Sequence, residues 1–207
     1  DLMFFIDPLD GTINYSKRIP YYSISIACQR GRQTSVSLVY DLYRDILYSS
    51  VRDNGILITR SASQRRRAAS VKAPATMVSK TNRLDQSIII TGWPYDEWRE
   101  AGRTLRYLQT VLKLALDVRR FGCASLDLTL VALGQADGYW ETSLGGLWDV
   151  LGGALLVREA GGTCAVFQET DTGRVGTIAT NGLIHRSLWD IVEPQFTSYE
   201  LFELFEP

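Results

Sequence analysis

The chain opens on an unbroken apolar run, Leu2, Met3, Phe4, Phe5 and Ile6, and turns abruptly polar at Asp7, Pro8, Asp10 and Gly11. Continuous apolarity over so short a stretch predicts a β-strand covered on both faces, ended by the turn chemistry of Asp, Pro and Gly. From Tyr21 to Tyr48 the pattern alternates instead. Stretches rich in Ile, Val, Ser and Tyr, among them Ser23 to Ala27 and Ser35 to Tyr40, are broken at Gly31 and Asp41. A period of two predicts an antiparallel meander. After Ser87 the spacing lengthens. Ile88 to Thr91 reads as a short strand, and Leu105, Leu108, Val111, Leu112 and Ala115 recur at helical spacing within Glu97 to Leu116. A strand near Val118, a helix over Ala124 to Leu133, a strand around Tyr139 and a helix over Trp148 to Ala160 follow, the last stopped by Gly161 and Gly162. Ile178 to Thr180 and Leu183 to Val192 predict a final strand and a final helix.

Antiparallel strands first and strand–helix alternation second predict an α+β / α/β protein whose two sub-structures, residues 1–86 and 87–207, meet near Ser87. The stretch from Arg60 to Ala75 is basic and rich in Ala and Ser, with Arg65, Arg66 and Arg67 in a row. It has no interleaved aromatic residue to stack bases, so it reads as a solvated or mobile loop without a function. The first residue is Asp1 and the apolar run begins at once, with no cap or turn ahead of it, so the chain reads as a fragment with an excised start.

Composition narrows the picture. With 45% hydrophobic and 22% charged residues the 207-residue chain can bury a real core, and a net charge of -1 with interspersed signs gives no field for nucleic acid or an anionic membrane. A polyanionic substrate would need a local device. Cys28, Cys123 and Cys164 are odd in number and far apart, which fits neither a disulfide framework nor a zinc site and suits a reducing cytoplasm. No apolar run approaches the roughly 20 residues that span a bilayer, and there is no secretory signal pattern, so the protein reads as soluble.

The chemistry concentrates in two segments. In Asp7-Pro8-Leu9-Asp10-Gly11-Thr12, two carboxylates emerge where the strand ends, with Pro8 fixing φ between them and Gly11 permitting a sharp turn. They face one point only if the turn redirects the second. Carboxylates held that close repel unless a cation lies between them, and a hard divalent ion is the natural partner. The plainer reading is an Asp-rich turn with a capping role. The second segment is Trp148-Asp149 followed by Gly152, Gly153 and Glu159-Ala160-Gly161-Gly162. Asp149 alone would be a helix cap, but two early glycines weaken a helix and imply that a backbone or a ligand packs closely there.

Together the two segments resemble the signatures of the inositol monophosphatase family. Asn14-Tyr15, Ile19-Pro20, Ser23 to Ala27, Thr91-Gly92-Trp93-Pro94-Tyr95-Asp96, Gly122-Cys123-Ala124-Ser125-Leu126-Asp127-Leu128 and Ala179-Thr180-Asn181 extend the likeness along the chain. The resemblance implies a layered αβαβα sugar-phosphatase fold with the N-terminal helices missing. It also implies Mg²⁺-dependent hydrolysis of a small phosphate monoester, such as inositol 1-phosphate, by water activated between two metal ions. Asp7 would bridge both ions, the carbonyl of Leu9 would complete the first site, and Asp10 and Asp149 would hold the second. Thr12 would orient the attacking water and, with Gly11, contact phosphate; Gly122, Cys123 and Ala124 would present a helix start to the anion. Glu141 would accept hydrogen bonds from substrate hydroxyls, slightly favouring a polyol over a second phosphate. A homodimer and inhibition by lithium are further implications.

Two departures stand out. The family's upstream Gly-Glu-Glu segment, which supplies another metal-ligating glutamate, is absent from the chain. The loop Thr142-Ser143-Leu144-Gly145-Gly146-Leu147 is one residue longer than usual, which bears on where Glu141 falls. Cys123 could be read as a nucleophile, but His185 is the only histidine and is distant in sequence, so a small residue admitting phosphate is the preferred reading. A haloacid dehalogenase-type phosphatase is a rival, but its aspartates are separated by one residue rather than two. Histidinol phosphate and 3′-phosphoadenosine 5′-phosphate are alternative substrates within the family. A catalytically impaired relative serving as a binding scaffold is the non-enzymatic alternative.

Overall fold

The computed structural model of the chain describes residues 1–60, 69–72, 77–93, 98–193 and 199–206. Its first sheet is antiparallel, with strands neighbouring one another in sequence order: β1 (Leu2–Asp10), β2 (Ser23–Arg30), β3 (Gln33–Asp41), β4 (Ile46–Val51), β5 (Ile56–Arg60) and β6 (Ala69–Lys72). The expected meander is therefore present and longer than the alternation indicated. Part of the basic stretch, Ala69–Lys72, is strand paired with β5 rather than loop; Arg65, Arg66 and Arg67 lie outside the described residues.

The first strand corrects an expectation. It lies at the edge of its sheet, with Leu2 58% and Phe4 61% exposed and Met3 and Ile6 exposed beside them, so it is not covered on both faces. An apolar run reports an intended covering, not what covers it. The strand also continues past Ile6 to Asp10.

The second sheet has the order β12-β10-β11-β9-β7-β8, built from β7 (Ile88–Thr91), β8 (Asp117–Arg119), β9 (Gly138–Leu144), β10 (Thr163–Glu169), β11 (Val175–Thr180) and β12 (Tyr199–Phe205). Only the pairings of β7 with β8 and β9 are parallel. Among the described residues, five α-helices accompany the sheets: α1 (Thr12–Ser16), α2 (Trp98–Leu114), α3 (Ala124–Ala132), α4 (Leu147–Glu159) and α5 (His185–Val192).

Helices α3 and α4 form the layer between the sheets. Helix α4 packs on β1 to β4 on one side and on β10, β11 and β12 on the other. Its run from Val150 to Val157 is buried all round, as a helix enclosed on both sides must be. The two early glycines allow this approach. A Cβ on Gly152 would stand 2.8 Å from Ser25 Oγ on β2, and one on Gly153 would stand 2.5 Å from Leu128 Cβ on α3. On the other face of the second sheet, Ile89, Trp140, Ala165 and Ile178 form a second core with Val111 of α2 and with Leu188 and Val192 of α5. The result is a mixed α+β fold of alternating sheet and helix layers.

The last strand ties the sheets together. Glu203 of β12 accepts hydrogen bonds from Gln29 Nε2 (3.1 Å), Thr34 N (3.0 Å), Thr34 Oγ1 (2.7 Å) and Arg52 Nη2 (2.6 Å), all in or beside the first sheet. Its carboxylate is thus buried with charged and neutral partners.

Candidate active site

The pocket begins at an irregularity in β1. Asp7 pairs with Ser25 and Asp10 with Ser23, so β1 spends one more residue than β2 over this interval. Such a bulge redirects the chain, and Pro8 falls inside it, where the ladder does not require its missing N–H. This supplies the redirection that two aspartates three positions apart need. Gly11 follows with φ +81°, and a Cβ there would meet Tyr21 O at 3.0 Å and Cys123 Cβ at 3.2 Å. Glycine is required both by backbone angle and by space. The chain then enters α1, a helix the hydrophobic pattern did not announce.

Asp7, Asp10 and Asp149 line one pocket of about 650 Å³. Leu9, Gly11 and Thr12 of the β1–α1 turn, Gly122, Cys123 and Ala124 at the start of α3, and Glu141 on β9 line the same pocket. The ten positions singled out from sequence are therefore brought together. Within the turn, Asp7 Oδ1 accepts from Leu9 N at 2.9 Å and Thr12 Oγ1 donates to Leu9 O at 2.9 Å.

Each further carboxylate is fixed by backbone. Asp10 Oδ2 accepts from Ser125 N at 2.8 Å and Ser125 Oγ at 2.7 Å, which anchors β1 to the first turn of α3. Burial nonetheless raises the Asp10 pKa above its ordinary value; the Ser125 bonds oppose the rise and the Asp7 charge adds to it. Asp149 lies in the first turn of α4 and its Oδ2 accepts from Gly146 N at 3.1 Å, so it is a cap as well as a pocket residue. Burial first, then the Asp10 charge, push it up to about 8, and a hydrogen bond with Asp7 adds to the shift. Asp7, Asp10 and Asp149 thus feel one another directly.

Among the described residues no three side chains of His, Cys, Asp or Glu are gathered tightly enough to enclose one ion. The donor set itself, three carboxylates and the Leu9 carbonyl, is all oxygen and suits a hard divalent cation. A carbonyl that already accepts from Thr12 keeps a second lone pair.

The longer loop does not remove Glu141 from the pocket. Gly145 and Gly146 link β9 to α4 in close quarters: a Cβ on Gly146 would stand 2.6 Å from the Trp148 ring, and one on Gly145 would stand 3.3 Å from Asp149 Oδ2. Burial raises Glu141 to about 7, against the hydrogen bond from Tyr139 and the charge of Arg120. Burial also pushes the Cys123 thiol well above its ordinary value, with the Asp10 charge acting in the same direction, which disfavours a thiolate nucleophile. Cys28, Cys123 and Cys164 are all buried free thiols.

Sequence reasoning missed Gly92, Trp93, Arg120, Ser143 and Arg174 as pocket residues. Arg120 stands next but one to Gly122 and its guanidinium lies 5.2 Å from the Trp93 ring centroid, while Arg174 Nη1 donates to Ser143 Oγ at 2.7 Å. Trp93 had been noted only for the family likeness, and Pro94, Tyr95 and Asp96 beside it lie outside the described residues. Strand pairing brings these residues in, and no local pattern signals it.

Comparison with known proteins agrees with this architecture. Residues 1–193 match the model of the inositol monophosphatase family. An inositol-1-monophosphatase of Synechocystis sp. is 34% identical over 187 residues, which is 88% of this chain and 60% of that protein. The Nus factor SuhB of Escherichia coli is 36% identical over 167 residues, covering 81% of this chain and 57% of that protein. The chain thus spans a little over half the length of these relatives. Among solved structures, SuhB of Mycobacterium tuberculosis superposes with a TM-score of 0.80 at 28% identity, covering 95% of this chain and 73% of that one. Inositol monophosphatase of Anabaena (Nostoc) sp. superposes with 0.77 at 32% identity, covering 93% and 75%. By sequence and by fold, this chain belongs to the inositol monophosphatase family.

Proposed function

We propose that the protein hydrolyses a small phosphate monoester, inositol 1-phosphate or a related sugar phosphate, with Mg²⁺. The observation that carries this reading is the convergence of Asp7, Asp10 and Asp149, from the β1 turn and the α4 start, opposite the N-terminus of α3. Asp7, Leu9 O, Asp10 and Asp149 would hold the ions. When bound, these supply neutralisation of a dianionic phosphate and a water of lowered pKa.

The remaining work falls to the chain itself. The free N–H groups at Gly122, Cys123 and Ala124, backed by the α3 dipole, bind the phosphate oxygens. Thr12, held by the Leu9 carbonyl, orients the attacking water. Glu141 accepts from hydroxyls of the leaving alcohol. No group on the protein needs to be phosphorylated, which separates this chemistry from that of an aspartyl-phosphate enzyme. Buried free thiols fit a reducing cytoplasm, and no described helix is long and apolar enough to cross a membrane.

A phosphate-release panel on the full-length protein, with and without Mg²⁺, tests the reading with inositol 1-phosphate, histidinol phosphate and 3′-phosphoadenosine 5′-phosphate. Release of phosphate only with Mg²⁺, and fastest from inositol 1-phosphate, is expected. Several relatives carry the name Nus factor, which favours a binding role as the second reading. Absence of turnover on every ester, with the fold intact, would select it.

A further inference from the structure

Facing the carboxylates, the pocket has a second wall built where β7 and β9 end. These strands are parallel, with Thr91 opposite Trp140, so the next step along each sets Gly92 beside Glu141. A Cβ on Gly92 would lie 1.9 Å from Glu141 Oε2, 2.3 Å from its Cδ and 2.5 Å from its Oε1. The carboxylate therefore rests on a bare Cα, in space that any side chain would fill. The same Oε2 accepts a 2.6 Å hydrogen bond from the hydroxyl of Tyr139, which is fully buried. One residue on, Trp93 carries the Arg120 guanidinium. A Cβ on Gly122 would in turn stand 2.9 Å from Arg120 Nη1, so the guanidinium is confined from below as well.

We propose that Gly92 is a positioning residue: its bare Cα seats against Tyr139 the Glu141 carboxylate to which the phosphatase reading gives the hydroxyls of the leaving alcohol. The inference rests on the phosphatase reading. Its physical basis is pre-organisation. A long acidic side chain free to rotate would lose its freedom on binding each hydroxyl, whereas one locked between a glycine and a tyrosine has lost it already. Displacing it weakens its hold on the hydroxyls in the ground state and the transition state alike, so the loss falls on binding.

The test compares two esters on the full-length protein with Mg²⁺: inositol 1-phosphate, and p-nitrophenyl phosphate, whose leaving group has no neighbouring hydroxyls. Gly92→Ala is expected to lower the ratio of kcat/KM for the first to that for the second by about tenfold or more, mainly through KM. In a Glu141→Ala background, where the ratio is already low, Gly92→Ala is expected to lower it no further. If Gly92→Ala does not fold, Tyr139→Phe removes only the hydroxyl and should lower the same ratio. An unchanged ratio in the folded variants, or a Gly92→Ala effect that persists without Glu141, would overturn the inference alone. No release from either ester by the unmutated protein would instead overturn the phosphatase reading and the inference with it.

Discussion

The two walls of the pocket hold their carboxylates in different ways. On the β1–α4 wall, Asp10 and Asp149 are raised by burial and further by one another, and the opposing help comes from neutral donors, Ser125 and the Gly146 N–H. On the β7–β9 wall, Glu141 is also raised by burial, but Tyr139 and the cationic Arg120 pull it back. On the first wall only neutral donors oppose the rise, while on the second a protein cation, Arg120, offsets part of a rise to about 7 to which the Asp10 charge also contributes. That contrast is what the proposed division of labour, metal on the first wall and alcohol on the second, would require.

The strongest way to break the contrast is at Asp149. Asp149→Asn is expected to reduce Mg²⁺-dependent phosphate release by about 100-fold or more, since an amide is a poor ligand for a hard cation. The same change should leave the metal-free protein as stable or more stable at pH 8, since burial and the neighbouring aspartates disfavour the charged form of Asp149. A release assay and a thermal melt check both, and unchanged turnover would refute the role given to Asp149.

A pH series sharpens the comparison without mutation. Carboxyls whose folded pKa is raised contribute stability that is fully present below their ordinary values, 3.8 for Asp149 and 4.5 for Glu141. That stability is lost as pH rises through about 8 and about 7 respectively, because the unfolded chain ionises first. Through these groups the metal-free protein should lose melting temperature from about pH 4 to pH 8, and Mg²⁺ should restore more of it at pH 8 than at pH 5. Equal Mg²⁺ stabilisation at both values would count against the carboxylates as ligands.

A smaller effect is expected at Ser125. Ser125→Ala removes one of the two donors to Asp10 Oδ2 and should cost about 1–3 kcal/mol in denaturant unfolding, with weaker Mg²⁺ binding, because a buried carboxylate loses a partner. The smallest change belongs to the β7–β9 wall. Arg120→Gln takes away a charge that lowers Glu141, so its titration should move upward from about 7 and shift the corresponding limb of the pH–rate profile to higher pH. A shift downward would show that Arg120 does not act on Glu141.

Much of the first wall was legible in the sequence because its chemistry is local. Asp7, Asp10, Gly11 and Thr12 lie within one bulge and turn, and Asp149 heads the helix whose glycines betray close packing. The second wall was legible only as Glu141. Gly92 meets it through the parallel register of β7 and β9, and Arg120 lies over the Trp93 ring, contacts that no window along the chain contains. Elements were lost for similar reasons. Strand β10 begins directly after Gly161 and Gly162, so its apolar run has no turn signal between it and α4 other than the helix stop. Strand β12 takes its place from pairing with β10 rather than from punctuation around it. The exposed edge strand β1 is the converse case, an apolar pattern suited to burial on residues that stand open.

The carboxylate of Glu203 bears on how the molecule comes together. Its partners Gln29, Thr34 and Arg52 are made long before it during synthesis, and each such bond closes a loop of well over a hundred residues, so this fastening adds non-local contacts of the kind that slow folding. Arg52 thus takes its acid from the last strand of the chain, far in sequence from the sheet that it serves.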